Sequence, residues 1–330
     1  MSKSFLIIQT AFSGDAILLT SVLEKLYATN PANKIDILVR KGNEALFSNH
    51  PYIREVLVWD KKKNKYKNLF RILLSIRKRK YDVVVNLQRF ASTGILTAFS
   101  LARVKIGFNK NPLSFLFTKK IKHEVKKGLH EIERNQSLIS DFTSGSAARP
   151  KLYPSNEDYI SMQKLKQGRF VTIAPGSVWF TKTFPAYKWI ELIKNLNLRK
   201  PGLTIYLLGS KEEFKHSESI KIKSNESNVT NLCGSLSFLE SSALMKDAEM
   251  NYVNDSAPLH LASAMNAPVT VVYCSTIPDF GFGPLSDLSK IIETKIKLDC
   301  RPCGIHGYKE CPLVHFKCAH TIDIIETLSA

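Results

Sequence analysis

Apolar residues along this chain follow two alternating rhythms. Residues 3–9 hold the unbroken run Phe5-Leu-Ile-Ile8, of strand length, which ends at Gln9-Thr10. Ile17, Leu18, Val22, Leu23 and Leu26 then recur at helical spacing, up to Asn30-Pro31. Lys34-Ile-Asp-Ile-Leu-Val39 reads as a second strand. Strand, turn, helix and strand in that order form a βαβ unit, which implies a parallel sheet with a right-handed crossover. Further strands are predicted at Val56–Trp59 and Tyr81–Val85, with helices between them.

Residues 141–168 interrupt this pattern. They are polar and turn-rich (Thr143-Ser-Gly-Ser146, Pro150, Pro154-Ser-Asn) and read as a linker between a domain of residues 1–150 and one of residues 151–330. A second α/β run starts at Phe170-Val-Thr-Ile-Ala-Pro-Gly176. It continues through a helix from Lys188 to Leu198, a strand Leu203–Leu208 ending at Gly209, a helix from Leu239 to Ala248, and a strand Val269–Tyr273. The predicted fold class is α/β, with two Rossmann-like domains facing a central cleft. Ligands of such sheets bind at the carboxyl ends of the strands.

Composition adds one asymmetry. Apolar content of 44% with 23% charged residues is ordinary for a soluble globular protein. No apolar run approaches bilayer length and no signal-peptide pattern is present, so a cytoplasmic protein is expected. The net charge of +18 is unevenly placed: residues 1–150 carry 27 Lys and Arg against 11 Asp and Glu, so +16 falls in the first half and +2 in the second. An anionic partner or surface is expected on the first domain. Lys61 to Lys80 holds ten of these bases and no acid, with Tyr66, Leu69, Phe70, Leu73 and Ile76 as an apolar stripe. The segment reads either as a basic amphipathic helix lying on an anionic membrane or as a core-packed helix with a solvated outer face. No nucleic-acid motif accompanies the charge, and no nucleic-acid partner is expected.

Three loops carry candidate chemistry, each at or near a strand's carboxyl end. Gly14-Asp15 follows the first strand without a G-x-G-x-x-G fingerprint, which argues against a dinucleotide oxidoreductase. Asp15 could instead take a proton from a substrate hydroxyl, or could simply cap the following helix. Pro175-Gly-Ser-Val-Trp-Phe-Thr-Lys-Thr-Phe-Pro185 offers the hydroxyls of Ser177 and Thr181, the ammonium of Lys182, and close backbone approach at Gly176. A diphosphate would find donors and charge together there. Asn254-Asp-Ser-Ala-Pro-Leu-His-Leu-Ala262 reads as a loop breaking into a helix, with Asp255 and Ser256 as caps and Pro258 in the first turn. Such a helix start can hold a phosphate.

Together these three pieces resemble glycosyltransferase family 9, the lipopolysaccharide heptosyltransferases, in order and spacing over nearly the whole chain. The resemblance implies a GT-B fold with acceptor bound by residues 1–150 and nucleotide-sugar by residues 151–330. It implies transfer of heptose from ADP-heptose to the lipopolysaccharide inner core, with inversion and without a catalytic metal or other cofactor. Carried onto this sequence, Asp15 matches the catalytic base and Lys182 the lysine on the donor diphosphate, with Ser177 and Thr181 in its loop. Asp255, Ser256, Ala257 and His260 match the donor-binding helix start, and Glu213 an acidic contact to the ribose. Gln88 and Arg89 fall at the acceptor side. Ala257 stands where many members have Gly, and Asn86 where an Asp is usual.

The resemblance also implies an anionic lipid-linked saccharide as acceptor and peripheral contact with the cytoplasmic face of the inner membrane. Two rivals remain at this stage. One is a family-9 transferase with another nucleotide-sugar or a protein acceptor, and the other a non-catalytic module that binds anionic glycolipid. The tail Cys300-Arg-Pro-Cys303…Cys311…Cys318 resembles the second heptosyltransferase subgroup more than the first. Its four thiolates, with His306 and His315 among them, could ligate a structural zinc or iron, or remain reduced thiols that shape a loop.

Overall fold

The first apolar run becomes the centre of a sheet. In the computed structural model, which describes residues 2–125 and 128–323, Phe5–Ile8 lie in a strand buried on both faces. A continuous rather than alternating apolar run is what a parallel strand covered by helices on both sides requires. Strands β1 (Ser4–Gln9), β2 (Lys34–Arg40), β3 (Ile53–Trp59), β4 (Val83–Asn86), β5 (Val104–Phe108) and β6 (Lys119–Ile121) pair in parallel in the order β3-β2-β1-β4-β5-β6.

The second sheet repeats the plan. Strands β7 (Phe170–Ala174), β8 (Thr204–Leu207), β9 (Val229–Asn231), β10 (Asn251–Asn254), β11 (Val269–Tyr273) and β12 (Ser289–Glu293) pair in the order β12-β11-β10-β7-β8-β9. Counted from its own first strand, this order is the same as that of the first sheet. Each sheet therefore has one point where the order reverses: between β1 and β4 in the first, between β7 and β10 in the second. The two sheets belong to two compact units, Met1–Tyr153 and Pro154–Ala330.

Helices fill the faces of both sheets. Helix Ser13–Thr29 is buried at every position from Ala16 to Val22, more completely than an amphipathic stripe would need. The hydroxyls of Thr20 and Ser21 are satisfied inside it by the carbonyls of Ile17 and Leu18. In helix Ala186–Arg199, Trp189, Leu192, Ile193 and Leu196 recur every three or four residues and enter the core of the second unit. Trp189 meets Phe184 edge to face with ring centres 5.2 Å apart.

The segment read as a linker is more ordered than that. Its first part is tied to helix Ser13–Thr29: Lys25 Nζ donates to the carbonyls of Gly145 and Ser146, Lys151 N to Thr20 Oγ1, and Tyr153 Oη to Glu24. Its second part forms a short helix, Asn156–Ser161, started by a Ser155–Asp158 capping box. Turn-forming composition was the only signal, and it does not report these long-range hydrogen bonds. Likewise, the basic helix covers Lys65–Arg79 alone. Lys61 lies in the loop ahead of it and has a different role, described below.

Candidate active site

Every candidate loop but one emerges at a reversal point. The turn after β1 carries Asp15, and the turn after β4 carries Gln88 and Arg89. The turn after β7 carries Ser177 and Lys182, and the turn after β10 carries Asp255 and the helix Ala257–Ala264. Glu213 follows β8, one strand away. At a reversal the helices from adjacent strands leave on opposite faces, so a crevice opens between their connections.

In the first unit, Asp15 sits in the first turn of helix Ser13–Thr29, with Phe12 as N-cap residue. The free N–H groups of a first turn favour a carboxylate there. Asp15 faces Arg40: burial lowers the Arg40 pKa while the charge of Asp15 opposes the fall. Arg40 also lies over the Phe12 ring at 4.9 Å. Across the reversal point, buried Gln88 donates from its side chain to Gln9 Oε1, and its backbone N–H donates to Asn86 Oδ1 at 2.9 Å. Asn86 is thus an internal brace under the Gln88 turn. Arg89 is exposed. Its charge, with those of Arg134 and Lys110, adds to burial in lowering His123 to about 4.

Lys61 is the residue of this unit that pattern reading misassigned. Its ammonium donates to the Thr10 carbonyl at 2.8 Å and to Thr10 Oγ1 at 2.9 Å, and stands over the Trp59 ring. Burial, then the nearby Arg40 and Lys65, bring it down to about 8. An anion that settles beside it would raise that value again.

In the second unit the central residue is Asn254, fully buried at the end of β10. Its Nδ2 donates to the carbonyls of Pro175 and Gly176, and its Oδ1 accepts from Phe184 N at 3.0 Å. One amide thereby fixes both ends of the loop that carries Ser177 and Lys182. Lys182 Nζ then meets Asp255 Oδ2 at 2.7 Å in a nearly buried pair, and Thr276 Oγ1 donates to the same oxygen at 2.7 Å. An ammonium has three protons, so two directions remain for an anionic ligand. Ser177 Oγ accepts from Trp179 N at 3.3 Å, which leaves its hydroxyl proton to donate.

Glu213 closes the far side. Its Oε2 accepts from Ser210 N at 2.7 Å in a capping box, and its carboxylate lies against Gly176 and Gly209. A Cβ on Gly176 would overlap that carboxylate. The glycine is needed for this close approach, beyond any access it gives a ligand.

Two expectations are corrected here, and a third residue, His260, is placed. Asp255 and Ser256 do not cap the helix: Ser256 is the N-cap residue but no side chain bonds the first-turn N–H groups, because Asp255 is engaged by Lys182 and Thr276. Thr181 offers no hydroxyl to a ligand. It is buried, and its Oγ1 accepts from Tyr308 N at 2.7 Å and from Ser275 Oγ at 3.0 Å. His260 is buried on the core side of its helix with its ring against Phe282. Sequence gave the type of these residues and their place in a motif, but not their direction.

The cysteine tail folds onto the carboxyl end of β11. Arg301 donates to the carbonyls of Tyr273, Cys274 and Thr276 and to Glu293, and Cys303 N donates to the Ser275 carbonyl. Thr276 and Arg301 had no local signal in the sequence. The four tail cysteines share one neighbourhood. Cys303 Sγ donates to the Cys300 carbonyl at 3.2 Å, Cys300 Sγ lies 3.8 Å from His315 Nε2, and Cys318 is buried in the core. Burial, then the neighbouring thiols, push Cys318 up to about 11 and raise Cys303. Among the described residues no group of three or more His, Cys, Asp or Glu is set to hold a metal ion.

Two Rossmann-like units, with a carboxylate at one reversal point and a lysine and an open helix start at the other, make up the GT-B architecture that glycosyltransferases use. The sequence profile of glycosyltransferase family 9 (heptosyltransferase) matches residues 69–309, and the chain belongs to that family. It is 26% identical over 312 residues to lipopolysaccharide heptosyltransferase 1 of Campylobacter coli, covering 88% of this chain and 90% of that one. It is 27% identical to lipopolysaccharide heptosyltransferase 3 of Escherichia coli, covering 80% and 82%. Among solved structures, ADP-heptose lipopolysaccharide heptosyltransferase II of E. coli superposes with a TM-score of 0.78 at 19% identity, covering 99% of this chain and all of that one. The family-9 glycosyltransferase of Veillonella parvula superposes at 0.79 with 20% identity, covering 88% and 85%.

Proposed function

We propose that this enzyme transfers heptose from ADP-heptose to the inner core of lipopolysaccharide, with inversion and without a catalytic metal, at the cytoplasmic face of the inner membrane. The observation that carries the reading is the Lys182–Asp255 pair beside a helix start whose first N–H groups have no side-chain cap. That is a site for a leaving diphosphate. The similar E. coli heptosyltransferase WaaC has been solved with ADP-2-deoxy-2-fluoro heptose, which supports ADP-heptose as donor.

Asp15 takes the proton of an acceptor hydroxyl, and that oxygen attacks the anomeric carbon from the face opposite the diphosphate. The bond from the anomeric carbon to the diphosphate oxygen breaks, and ADP departs. Lys182 and the N–H groups at Ala257 meet the charge that grows on the leaving oxygen, which is where fixed dipoles accelerate most. Because the protein supplies this countercharge, EDTA should leave the rate unchanged. Glu213 holds the donor ribose, and the positive surroundings of Arg40, Lys61 and Arg89 take the anionic groups of the acceptor.

The deciding experiment incubates the enzyme with ADP-heptose and a lipid-linked core acceptor that lacks heptose. A gain of one heptose in product mass is expected, with the anomeric configuration reversed by NMR. Product only with another nucleotide-sugar would overturn the donor, and no transfer from any donor would favour a binding module. Gly176→Ala tests the ribose contact. Glu213 is flexible enough to swing aside, so stability should fall by about 1 kcal/mol, the value of a lost cap. ADP affinity measured by calorimetry should fall as well, and unchanged affinity would remove Glu213 from the donor site.

A further inference from the structure

The apolar stripe of the basic helix is two stripes. Leu69, Leu73 and Ile76 are buried against Trp59, Leu96 and the rest of the first unit's core. Tyr66, Phe70 and Leu74 belong to a second row, spaced every four residues on the same helix, and they are 79%, 61% and 47% exposed. A core-packed helix with a solvated outer face explains the first row and leaves the second without a reason. Three large apolar side chains in line on a surface mark an interaction site.

The surroundings say what kind of partner. Lys67 and Arg71 follow Tyr66 and Phe70 by one residue, about 100° further round the helix, so positive charge borders the row. Lys62, Lys63 and Lys78 are exposed as well, and no acid lies between Lys61 and Lys80. The acids nearest on neighbouring strands are already engaged: Glu55 pairs with Arg79, and Asp60 with Lys41 at 3.2 Å. Exposed Phe99 and Leu101 lie beside the helix, held there by Arg77 Nε donating to the Phe99 carbonyl at 2.8 Å.

We infer that this face docks on an anionic bilayer, with Tyr66, Phe70 and Leu74 entering the headgroup boundary and the flanking bases meeting lipid phosphates. Apolar residues set shallowly between bases are what an interfacial helix needs, whereas a single-stranded nucleic acid would stack on Tyr66 and Phe70 and leave the aliphatic Leu74 without a role. The inference rests on the membrane location in the proposed function and deepens it by naming the surface that meets the bilayer, while vesicle binding itself is read without any transfer.

The full chain is to be sedimented with phosphatidylglycerol vesicles and with neutral phosphatidylcholine vesicles at two salt concentrations. Binding is expected to the anionic vesicles only and to weaken with salt, each neutralised base costing about fivefold (~1 kcal/mol). The triple variant Tyr66→Ser, Phe70→Ser, Leu74→Ser should bind at least about tenfold more weakly, with an unchanged melting curve because the residues are exposed. Equal binding by the triple variant, or equal binding to neutral vesicles, would overturn the inference. So would a single-stranded oligonucleotide that competes fully with vesicles and binds the triple variant as well as the wild type. As a variant that keeps the apolar row, Leu74→Trp should give a blue-shifted emission on anionic vesicles, and no shift would count against insertion. Transfer to a lipid-free acceptor should be the same in the triple variant and the wild type, while transfer to a vesicle-borne acceptor falls.

Discussion

Replacing Asp15 by Asn is expected to slow turnover by about 10²–10⁴-fold, the range for a lost general base. Asn keeps the shape and the place in the first turn but cannot accept the acceptor's proton. Donor binding should be untouched, since the donor groups hang from the second sheet. Single-turnover transfer rates and ADP calorimetry on the same variant separate the two effects. A rate within a few-fold of wild type would refute the base assignment. Arg40 faces Asp15, so Arg40→Leu should also lower turnover, by less, without changing ADP affinity.

Asp255→Asn should be the most destabilising single change in the donor site. It leaves Lys182 nearly buried with no countercharge, which costs about 3–5 kcal/mol. At about 2–4 °C per kcal/mol for a unit of this size, the second unit's melting point should fall by roughly 6–20 °C. Removing both charges, as Asp255→Asn with Lys182→Met, should restore much of the loss because no charge is left stranded. ADP should rescue the single variant more than it stabilises the wild type, since its diphosphate replaces the missing partner. Equal melting points for the single and double variants would show that the ion pair is not the cause. In contrast, Lys182→Met alone should weaken ADP binding and leave Asp255 its bond from Thr276.

What could be read in the sequence followed the physics of each position. β1 was legible because burial on both faces selects an unbroken apolar run, and β2 because only Asp36, paired with Arg54, interrupts its own. β10 was not, because Asn251-Tyr-Val-Asn254 uses buried amides as cross-ties, and hydropathy scores an amide as surface. The edge strands β6 and β9 are three residues long and partly exposed, too short for a rhythm. In the site, Asp15 and Lys182 were legible as candidates because each follows an apolar strand, and Asp255 because it opens the Asp-Ser-Ala-Pro-Leu-His-Leu-Ala element. The role of Asp255 was not, since its partners Lys182 and Thr276 lie elsewhere in the sequence. Thr181 and Lys61 were misread for the same reason: each spends its polar group on a distant segment of chain.

The tail's grip on the donor loop has a consequence for synthesis. Thr181, next to Lys182, is clamped by Tyr308, 127 residues later in the chain, and by Ser275, to which Cys303 is bound in turn. A nascent chain released as far as β12 already contains every motif residue, yet lacks the segment that holds their loop in place. Such a ribosome-bound chain should not retain ADP, and competence should appear only once the tail has emerged. The segment that follows β12 would thus decide when the enzyme first recognises its donor.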